Sequence, residues 1–504
     1  MRAFLLFEDR DFDQDAPSPA NSESLAGDLE LERLFETMAR GDKYLLRVVR
    51  QVVLASLSES TEIAYRQGVL KECIARSEVA REMYSLAEEA LTGINKVSFL
   101  GVGFFSRENP ELTLHRAVQQ LRYLSEMLSR LREFGVRNSA LFSSAGLARF
   151  FEMLVTELDP EYLGKIKEHL EQLRFRDGVL VGAELGDGHK GANYTIRTMG
   201  PAKQSWLKKA AQALSRTSDV IVIPERDEPG FRALEELRGR GINSAANAVA
   251  RSSDHVLSFF SALRFELAFY IGCLNLHEAL RGKGEPVCFP EPLRLGDVGM
   301  EAEGLYDASL SLRLNGRCVG NSFNADGKVL IVVTGVNRGG KSTFVRSVGQ
   351  AQLMMQAGMY VAANKFNTDV RNGVFTHFKR EEDKDMAGGK LEEELSRMSG
   401  IVEQISVGDL LILNESFAST NEREGSQIGR GFVTAMLDSG VKVFLVTHFY
   451  ELASSFARAD GERALFLRAN REDDGARSFR LVEGEALSTV HGEDIYREIF
   501  GSSP

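Results

Sequence analysis

Hydrophobic positions recur with two different periods along the chain, and the helical period comes first. In the stretch "DLELERLFETMARGD", Leu31, Leu34, Phe35 and Met38 stand at i, i+3, i+4 and i+7, so one face of a helix is apolar and the other is charged. Similar patterns follow in "YLLRVVRQVVLASL" and "STEIAYRQGVLKECIARSEVAREMYSLAEEAL". The apolar density of residues 244–280 predicts further long helices, buried against others. The first 135 residues are therefore predicted to be mostly helical.

Short apolar runs of strand character mark the last third of the chain. They occupy residues 329–334, 410–414, 441–447 and 464–468 and alternate with helical segments. Such alternation predicts an α/β domain built on a largely parallel sheet. Earlier, "RDGVLVGAELGDGHKGANYTIR" places β-branched and apolar residues around a glycine-rich turn, which predicts a β-hairpin.

The first of these strands leads into the stretch "VTGVNRGGKSTF" (residues 333–344). Its spacing satisfies GxxxxGK[ST] after a strand and before a helix, the context in which this motif binds phosphates. The glycines let backbone N–H groups point at the phosphates, Lys341 reaches the β and γ oxygens, and the Ser342 hydroxyl can ligate Mg²⁺. We therefore predict ATP and Mg²⁺ as ligands. The predicted nucleotide-binding residues are Gly335, Val336, Asn337, Arg338, Gly339, Gly340, Lys341, Ser342 and Thr343.

Polar residues end the next two strands, at the sheet edge that the phosphates would occupy. Glu415 is the candidate general base, which would orient and partly deprotonate the attacking water. Asn414 precedes it, where an aspartate normally steadies the magnesium shell; the amide keeps an acceptor oxygen without the charge, which favours weaker Mg²⁺ binding or slower turnover. His448 ends the next strand, where an imidazole can contact the γ-phosphate. The predicted catalytic residues are Glu415, His448 and Lys341, and the predicted metal ligands are Ser342 and Asn414.

A basic segment follows the predicted hairpin. Between residues 186 and 216 six basic residues face one acid, and the chain's one tryptophan lies among them. Such a patch can hold phosphates while an aromatic ring stacks on a base. The alternative is a solvated basic helix face that the tryptophan anchors to a core. The candidate nucleic-acid contacts are Lys190, Arg197, Lys203, Trp206, Lys208 and Lys209.

Composition narrows the class of protein. A length of 504 residues with 43% hydrophobic content is typical of a globular chain with several domains. The four cysteines lie far apart without metal-ligand spacing, and His255 and His277 are interpreted as packed or surface histidines. A net charge of −11 argues against bulk non-specific nucleic-acid binding but permits a local basic surface. The opening residues are too short for a signal sequence and no stretch approaches a membrane span, so we predict a cytoplasmic protein without a membrane partner.

The stretches "VTGVNRGGKSTF", "LLILNESFASTNEREG" and "FLVTHFYEL" resemble the P-loop, the magnesium strand with its D-loop, and the switch histidine of the MutS family of DNA-repair ATPases, a branch of the ABC-type ATPases. The GxNxGGKST form is much narrower than a generic P-loop. The resemblance is strong over the α/β part and weaker over the helical part. It implies a helical core and lever, a clamp carried on long helices, and a homodimer in which the partner's signature segment closes each ATP.

The chain departs from this family's pattern at several positions. Arg338 replaces a common methionine, and "GGKLEEELSRM" (residues 388–398) replaces the Ser-Thr-Phe signature, which leaves Ser396 and Ser399 as weak candidates for the serine that binds the partner's ATP. In the D-loop, the polar residues expected to cross a dimer interface are Ser419, Thr420 and Asn421. The closing "STVHGEDIYREIF" resembles a dimerisation helix.

Mismatch readers of this family carry an N-terminal domain with a Phe-x-Glu motif. This chain begins almost directly with the core pattern, so we do not expect mismatch recognition, and we expect no nuclease-like domain after the α/β part. The predicted architecture is a mostly α-helical core, lever and clamp region followed by an α/β P-loop ABC-type ATPase domain. Its predicted segments are a tail (1–24), a helical core (25–175), a clamp-like hairpin and basic segment (176–243), a helical lever (244–315) and the ATPase domain with its dimerisation helix (316–504).

Three hypotheses for function remain open from the sequence. The favoured one is a homodimeric MutS-like ATPase that clamps and releases structured or branched DNA in repair or recombination. The second is a nucleotide-gated scaffold that hydrolyses ATP weakly because of Asn414 and acts on a protein or ribonucleoprotein partner. The third is an ATPase whose target is RNA or the ribosome.

Overall fold

The computed structural model describes residues 1–99, 110–175, 180–185, 191–197, 227–294, 296–335, 338–380, 389–471 and 477–487. Within these ranges the chain is rich in helices, carries three sheets and divides into two compact units. One unit comprises described residues within 1–3, 81–143 and 148–264, and the other comprises those within 4–80, 144–147 and 265–504. The core, lever and clamp boundaries proposed from the sequence stay predictions.

Helices make up most of the described chain before the α/β part. In chain order the earlier ones are α1 (Ser22–Asp28), α2 (Leu31–Ala39), α3 (Lys43–Leu54), α4 (Ser60–Ala75), α5 (Ser77–Phe99), α6 (Pro110–Asn138), α7 (Ala145–Thr156), α8 (Pro160–Gln172) and α9 (Glu228–Gly282). The later ones are α10 (Ala308–Arg313), α11 (Lys341–Gln356), α12 (Lys390–Val402), α13 (Glu422–Asp438) and α14 (Tyr450–Asp460).

Helix α2 confirms the amphipathic prediction. Its four predicted apolar positions are at most 1% exposed, because they form one stripe that faces the core. Helix α3 begins where Asp42 accepts hydrogen bonds from the backbone N–H groups of Tyr44 and Leu45, which satisfies two of the donors that a helix start leaves free. Sequence period and capping chemistry thus agree on these helices.

Helix α9 contains an apolar window that could cross a membrane by length and composition alone. The window lies within Glu235–Gly282 and has a mean hydropathy of 1.4. However, 72% of it is buried inside the protein. The apolar residues of this window therefore serve as core, as the density of residues 244–280 predicted.

The predicted hairpin is confirmed by strands β1 (Leu180–Leu185) and β2 (Gly191–Arg197), which pair antiparallel. The register shifts between Gly182 and Glu184, so one side of the ladder carries a bulge. Together these strands form a two-stranded sheet.

A six-stranded sheet organises the α/β part. Its strands are β6 (Leu330–Thr334), β8 (Val374–Phe378), β9 (Leu410–Asn414), β10 (Lys442–Val446), β11 (Ala464–Arg471) and β12 (Arg477–Glu483). They lie in the order β12-β11-β6-β10-β9-β8, and neighbouring strands are parallel except β11 and β12, which confirms the prediction of a largely parallel sheet. A four-stranded sheet in the order β3-β7-β4-β5 consists of β3 (Glu291–Leu293), β4 (Met300–Leu305), β5 (Asn321–Asn324) and β7 (Lys365–Asp369).

Register in the larger sheet brings three strand ends to one level. Val446 of β10 lies opposite Val333 of β6 on one side and Asn414 of β9 on the other. The apolar residues of these strands are fully buried, since helices cover both faces of such a sheet. The chain leaves the three strands at a common carboxyl edge.

Helix α11, which follows β6, is fixed to preceding parts of the same unit by polar side chains. The guanidinium of Arg346 donates to Asp307 Oδ2 at 2.5 Å and also to Glu30. Gln350 Nε2 donates to the Leu29 carbonyl at 2.9 Å and to Asp307 Oδ1 at 3.0 Å. These contacts set the position of the helix whose first turn carries Lys341.

Helix α1 protects the outer edge of the sheet. It packs against the edge strand β8, and Asn21 Nδ2, just before the helix, donates to the Val374 carbonyl at 2.7 Å. A backbone group that would otherwise face outward on this strand is thereby paired.

The opening residues, for which the sequence predicted a tail, are anchored in the structure. Leu5 and Leu6 are fully buried, and the Glu266 carboxylate of α9 accepts from their N–H groups at 2.6 and 3.3 Å and from that of Phe12 at 3.0 Å. Arg66 Nε donates to the Leu6 carbonyl at 2.8 Å. Composition alone hides this anchoring because its partners are distant in sequence.

Protonation of Glu266 is expected to make stability depend on pH. Burial raises the pKa of Glu266 to about 7 from an ordinary value of 4.5. Between these values the folded chain holds a proton that the unfolded chain has released, so this group's contribution to the free energy of unfolding falls as the pH rises from 4.5 to about 7. The Glu266→Gln variant should lose this fall, which is on the order of 2–3 kcal/mol.

Thermal unfolding midpoints at about pH 5 and about pH 8 measure the effect. The midpoint of the wild type should fall more between these two values than that of Glu266→Gln. The control is Glu36→Gln, because the Glu36 side chain is 60% exposed. Equal pH dependence in the wild type and Glu266→Gln would show that Glu266 does not titrate in this range.

Candidate functional site

The turn between β6 and α11 has the backbone conformation that the glycine motif requires. Gly335 has φ +115° and Gly340 has φ +93°, a left-handed region that glycine enters without steric cost. A Cβ on Gly335 would lie 2.9 Å from the backbone nitrogen of Ala469. Gly340 directly precedes α11, whose first residue is Lys341. The strand–turn–helix order is as predicted.

The remaining residues of the predicted phosphate loop occupy varied surroundings. Val336 and Asn337 lie outside the described residues. Arg338 is exposed with φ +62°, whereas Gly339 is buried and Thr343 is half-buried. Their roles in nucleotide binding stay predictions.

The ammonium group of Lys341 lies at the turn after β6, where it can contact a bound phosphate. Its side chain is only 4% exposed, and Nζ donates to the Gly335 carbonyl at 2.9 Å. Nζ also lies 3.9 Å from Glu415 Oε1. Burial lowers the pKa of Lys341, and the neighbouring Glu415 carboxylate acts in the opposite direction. The lysine therefore connects the turn after β6 with the residue that follows β9.

The two predicted metal ligands are in direct contact. Ser342 Oγ donates to Asn414 Oδ1 at 3.0 Å. Ligands that occupy adjacent corners of a Mg²⁺ octahedron are separated by about 3 Å, and both atoms are oxygens of the kind that Mg²⁺ accepts. The pair fits a nucleotide-bound Mg²⁺, but it lacks the carboxylate that such sites usually include. No group of three or more His, Cys, Asp or Glu side chains arranged for a metal occurs in the described ranges.

Glu415 stands at the carboxyl edge of the sheet. Its N–H donates to the Val446 carbonyl at 3.0 Å, which continues the pairing of β9 with β10 by one residue. Its φ of +51° is unusual for a residue other than glycine, and its side chain is 27% exposed. The turn thus directs the carboxylate out of the strand towards Lys341, with access for water.

His448 occupies the equivalent place after β10. Its side chain is exposed, and its ring packs edge-to-face on Phe449 with 4.7 Å between centroids. The preceding Thr447 donates its N–H to the Val333 carbonyl at 3.1 Å. Because β10 lies between β6 and β9, His448 follows the central strand of the three, at the edge that carries Lys341 and Glu415.

Two residues of the last strands complete the turn, and the sequence patterns do not reveal them. Ala469 of β11 lies against Gly335, and Phe479 of β12 lies against Gly340, so that a Cβ on Gly340 would be 3.4 Å from the Phe479 carbonyl oxygen. Phe479 is 46% exposed with φ +55°. No spacing rule connects these strands to the glycines, because the contact depends on sheet order.

The residues predicted to reach a partner chain are only partly described. Gly388 lies outside the described residues, and Ser396 and Ser399 are exposed on α12. Asn421 accepts from Glu424 N–H at 3.0 Å as the N-cap of α13, and Thr420 bonds the carboxylate of the same glutamate. Ser419 is half-buried. The closing segment "STVHGEDIYREIF" also lies outside the described residues.

Five of the six candidate nucleic-acid contacts lie outside the described residues: Lys190, Lys203, Trp206, Lys208 and Lys209. Arg197 ends β2, and its Nε would be 2.6 Å from a Cβ on Gly182. Nucleic-acid contact at this segment stays a prediction.

Replacing Gly335 should separate the turn's function from general stability. Gly335→Ala places a Cβ against Ala469 at a φ that side chains rarely adopt, so ATP affinity should fall by on the order of tenfold or more, about 1.4 kcal/mol. Gly431→Ala is the matched control, because Gly431 lies in α13 with nothing within 4 Å of the added Cβ. Equilibrium binding of a fluorescent ATP analogue measures both. Equal affinities would contradict the assignment of the turn.

Two protein-family models match successive parts of the chain. A family model described as MutS2 N-terminal domain matches residues 58–283, and one described as MutS domain V matches residues 331–496. Domain V is an ATPase domain. It covers the six-stranded sheet and the turn at Gly335.

Three curated relatives show how far the similarity extends. DNA mismatch repair protein MutS of Thermotoga neapolitana is 34% identical over 179 residues, which are 34% of this chain and 22% of that protein. DNA mismatch repair protein MutS 2 of Halobacterium salinarum is 27% identical over 212 residues, 42% of this chain and 24% of that protein. Endonuclease MutS2 of Halothermothrix orenii is 28% identical over 144 residues, 28% of this chain and 18% of that protein.

The matched segments span about a quarter or less of these relatives. The resemblance found in the sequence is nevertheless confirmed, since two models of the family match successive parts of the chain and the relatives carry the family's name. The chain belongs to the MutS family.

Proposed function

We propose that this chain is an ATPase that binds Mg²⁺ and ATP at the turn after β6 and uses binding and hydrolysis to clamp and release DNA. The observation that carries the proposal is the convergence at one sheet edge of Lys341, bonded to Gly335 and 3.9 Å from Glu415, with the Ser342–Asn414 contact. The matched family domain is an ATPase domain, which supports the same activity.

Each residue of the site has a distinct part in this proposal. The N–H groups of the turn and the ammonium of Lys341 bind and orient the phosphates. Ser342 and Asn414 would hold Mg²⁺, which when bound neutralises charge on the β- and γ-phosphates. Glu415 orients a water molecule for attack and accepts its proton at a carboxylate oxygen. His448 donates a hydrogen bond to the γ-phosphate.

DNA as the partner is proposed from the family and from the basic segment. Two of the relatives are named as DNA mismatch repair proteins. Lys203, Lys208 and Lys209 supply positive charge that can neutralise DNA phosphates on an otherwise acidic protein. We infer that the target is structured or branched DNA and that two copies of the chain form the clamp, each closing the other's ATP.

A second function is favoured by one structural observation. The oxygen that contacts Ser342 belongs to the neutral amide of Asn414, so the site has one negative charge fewer than an aspartate would give. Tight ATP binding with weak hydrolysis would make the chain a nucleotide-gated scaffold for a protein or ribonucleoprotein partner. Hydrolysis rates distinguish the two functions.

Steady-state ATPase activity tests the proposed function. The wild type is assayed alone and with duplex, mismatched, four-way-junction and single-stranded DNA and with structured RNA, and Lys341→Ala is the blank. We expect turnover above the blank that a branched DNA stimulates, and light scattering with ATP should give twice the 55.8 kDa of one chain. ATP binding without turnover on any of these nucleic acids would favour the scaffold, and stimulation by RNA alone would replace DNA as the target.

The DNA contact is tested by charge reversal, with equilibrium DNA binding measured over a series of salt concentrations. Replacing Lys203, Lys208 and Lys209 with Glu should abolish DNA binding and flatten its salt dependence, because the counterions that these lysines release would no longer contribute. The control reverses Lys165 and Lys167, which are exposed on α8. Unchanged binding in the triple variant would remove the basic segment from the proposal.

Restoring a carboxylate at Asn414 should strengthen the metal site. In Asn414→Asp the oxygen that contacts Ser342 carries charge, so the Mg²⁺ concentration for half-maximal ATPase activity should fall by roughly tenfold. Asn247→Asp adds the same charge at an exposed position of α9 and is the control. A Mg²⁺ titration measures both. An unchanged Mg²⁺ requirement in Asn414→Asp would place Asn414 outside the metal site.

A further inference from the structure

The turn that follows β9 is strained at two of three consecutive residues. Glu415 has φ +51° and Phe417 has φ +67°, and neither is glycine. Left-handed conformations cost such residues on the order of 1–2 kcal/mol each, and they persist only where surrounding contacts fix them. The backbone of this turn determines the direction of the Glu415 side chain. That direction therefore depends on the contacts that fix the turn.

Each residue of the turn is bonded to a different element of the fold. Glu415 N–H donates to the Val446 carbonyl of β10 at 3.0 Å. Ser416 Oγ donates to the His377 carbonyl of β8 at 2.9 Å. Phe417 N–H donates to Glu394 Oε1 of α12 at 3.1 Å. The first two bonds come from neighbouring strands, and the third is the one that a helix supplies.

Ser416 and His377 are also in contact through the imidazole ring. The Ser416 hydroxyl donates to the His377 carbonyl, and its oxygen lies 2.8 Å from His377 Nδ1. Burial and the nearby Arg397 guanidinium lower the pKa of His377 to about 3. The ring is therefore neutral at working pH, and the β8 side of the turn does not respond to pH.

Glu394 differs from the two glutamates before it. Glu392 is exposed, and Glu393 forms an ion pair with Arg397 at 3.3 Å. Glu394 is 3% exposed and is directed into the protein, where Oε1 accepts from Phe417. Burying a carboxylate is costly, and an apolar side chain would fill the same space at lower cost. This carboxylate holds the Phe417 N–H, and its charge also acts on the nearby Arg397 guanidinium.

We propose that Glu394 is a positioning residue for ATP hydrolysis, which holds the Phe417 N–H and through this turn keeps the Glu415 carboxylate directed at the reacting water. The inference rests on the proposed function and extends it to a residue of α12 whose carboxylate accepts from the Phe417 N–H.

Variants at Glu394 in the full chain test this role. Glu394→Gln keeps an acceptor oxygen for the Phe417 N–H, whereas Glu394→Met fills the volume without a comparable acceptor. Glu392→Gln is the matched control on the same helix. For each protein we would measure kcat and KM for ATP hydrolysis, ATP affinity, the unfolding midpoint, and hydrogen exchange of the segment from β9 to α13.

The expected result separates positioning from stability. Glu394→Met should lower kcat by about tenfold or more, while KM, ATP affinity and the unfolding midpoint stay near wild type and exchange in the turn accelerates. Glu394→Gln should restore most of the kcat, and Glu392→Gln should match the wild type.

Two groups of outcomes would overturn the role of Glu394. One is an unchanged kcat in Glu394→Met. The other is a fall in kcat for Glu394→Met that Glu394→Gln does not reverse, or that accompanies a comparable loss of ATP affinity and stability. If the wild type itself shows no turnover above Lys341→Ala, the proposed function fails, and this inference fails with it. If the wild type hydrolyses ATP and Glu394→Met hydrolyses it equally fast, only the inference about Glu394 fails.

Discussion

Parallel alignment of β6, β10 and β9 is the constraint on which the candidate site depends. The register places Val446 opposite both Val333 and Asn414, so segments far apart in sequence leave the sheet at one level. Burial of the apolar residues on both faces stabilises this alignment by about 25 cal/mol per Å² of apolar surface, and a slip by one residue would exchange the faces of every side chain. The polar residues at the strand ends are therefore held in place by apolar residues that take no part in the chemistry.

The site combines several locally unfavourable features that this framework supports. Lys341 is buried with a lowered pKa, and the backbone of Arg338, Glu415 and Phe417 is left-handed. Strain of this kind concentrates at functional sites, where geometry is selected at the expense of local stability. The contacts of α11 with Asp307 and those of α12 with the turn after β9 show that helices, as well as strands, determine the geometry.

Local patterns predicted the parts of this protein that depend on local physics. The stripe from Leu31 to Met38, the hairpin and the parallel strands follow from hydrophobic period, turn chemistry and the alternation of apolar strands with helices. Contacts such as those of Glu394 with Phe417 and of Glu266 with Leu5 were not predicted. Each joins residues that no period relates, and it exists only because the tertiary fold brings two elements together.

The contact of Asn21 with Val374 has a consequence for the protein's solubility. A six-stranded sheet that ends in an open, apolar strand would offer unpaired backbone groups to any similar strand nearby, including that of a second copy. Helix α1 lies against β8, and the Asn21 side chain occupies one of its carbonyl groups. Residues near the start of the chain thus limit uncontrolled extension of the sheet at this edge.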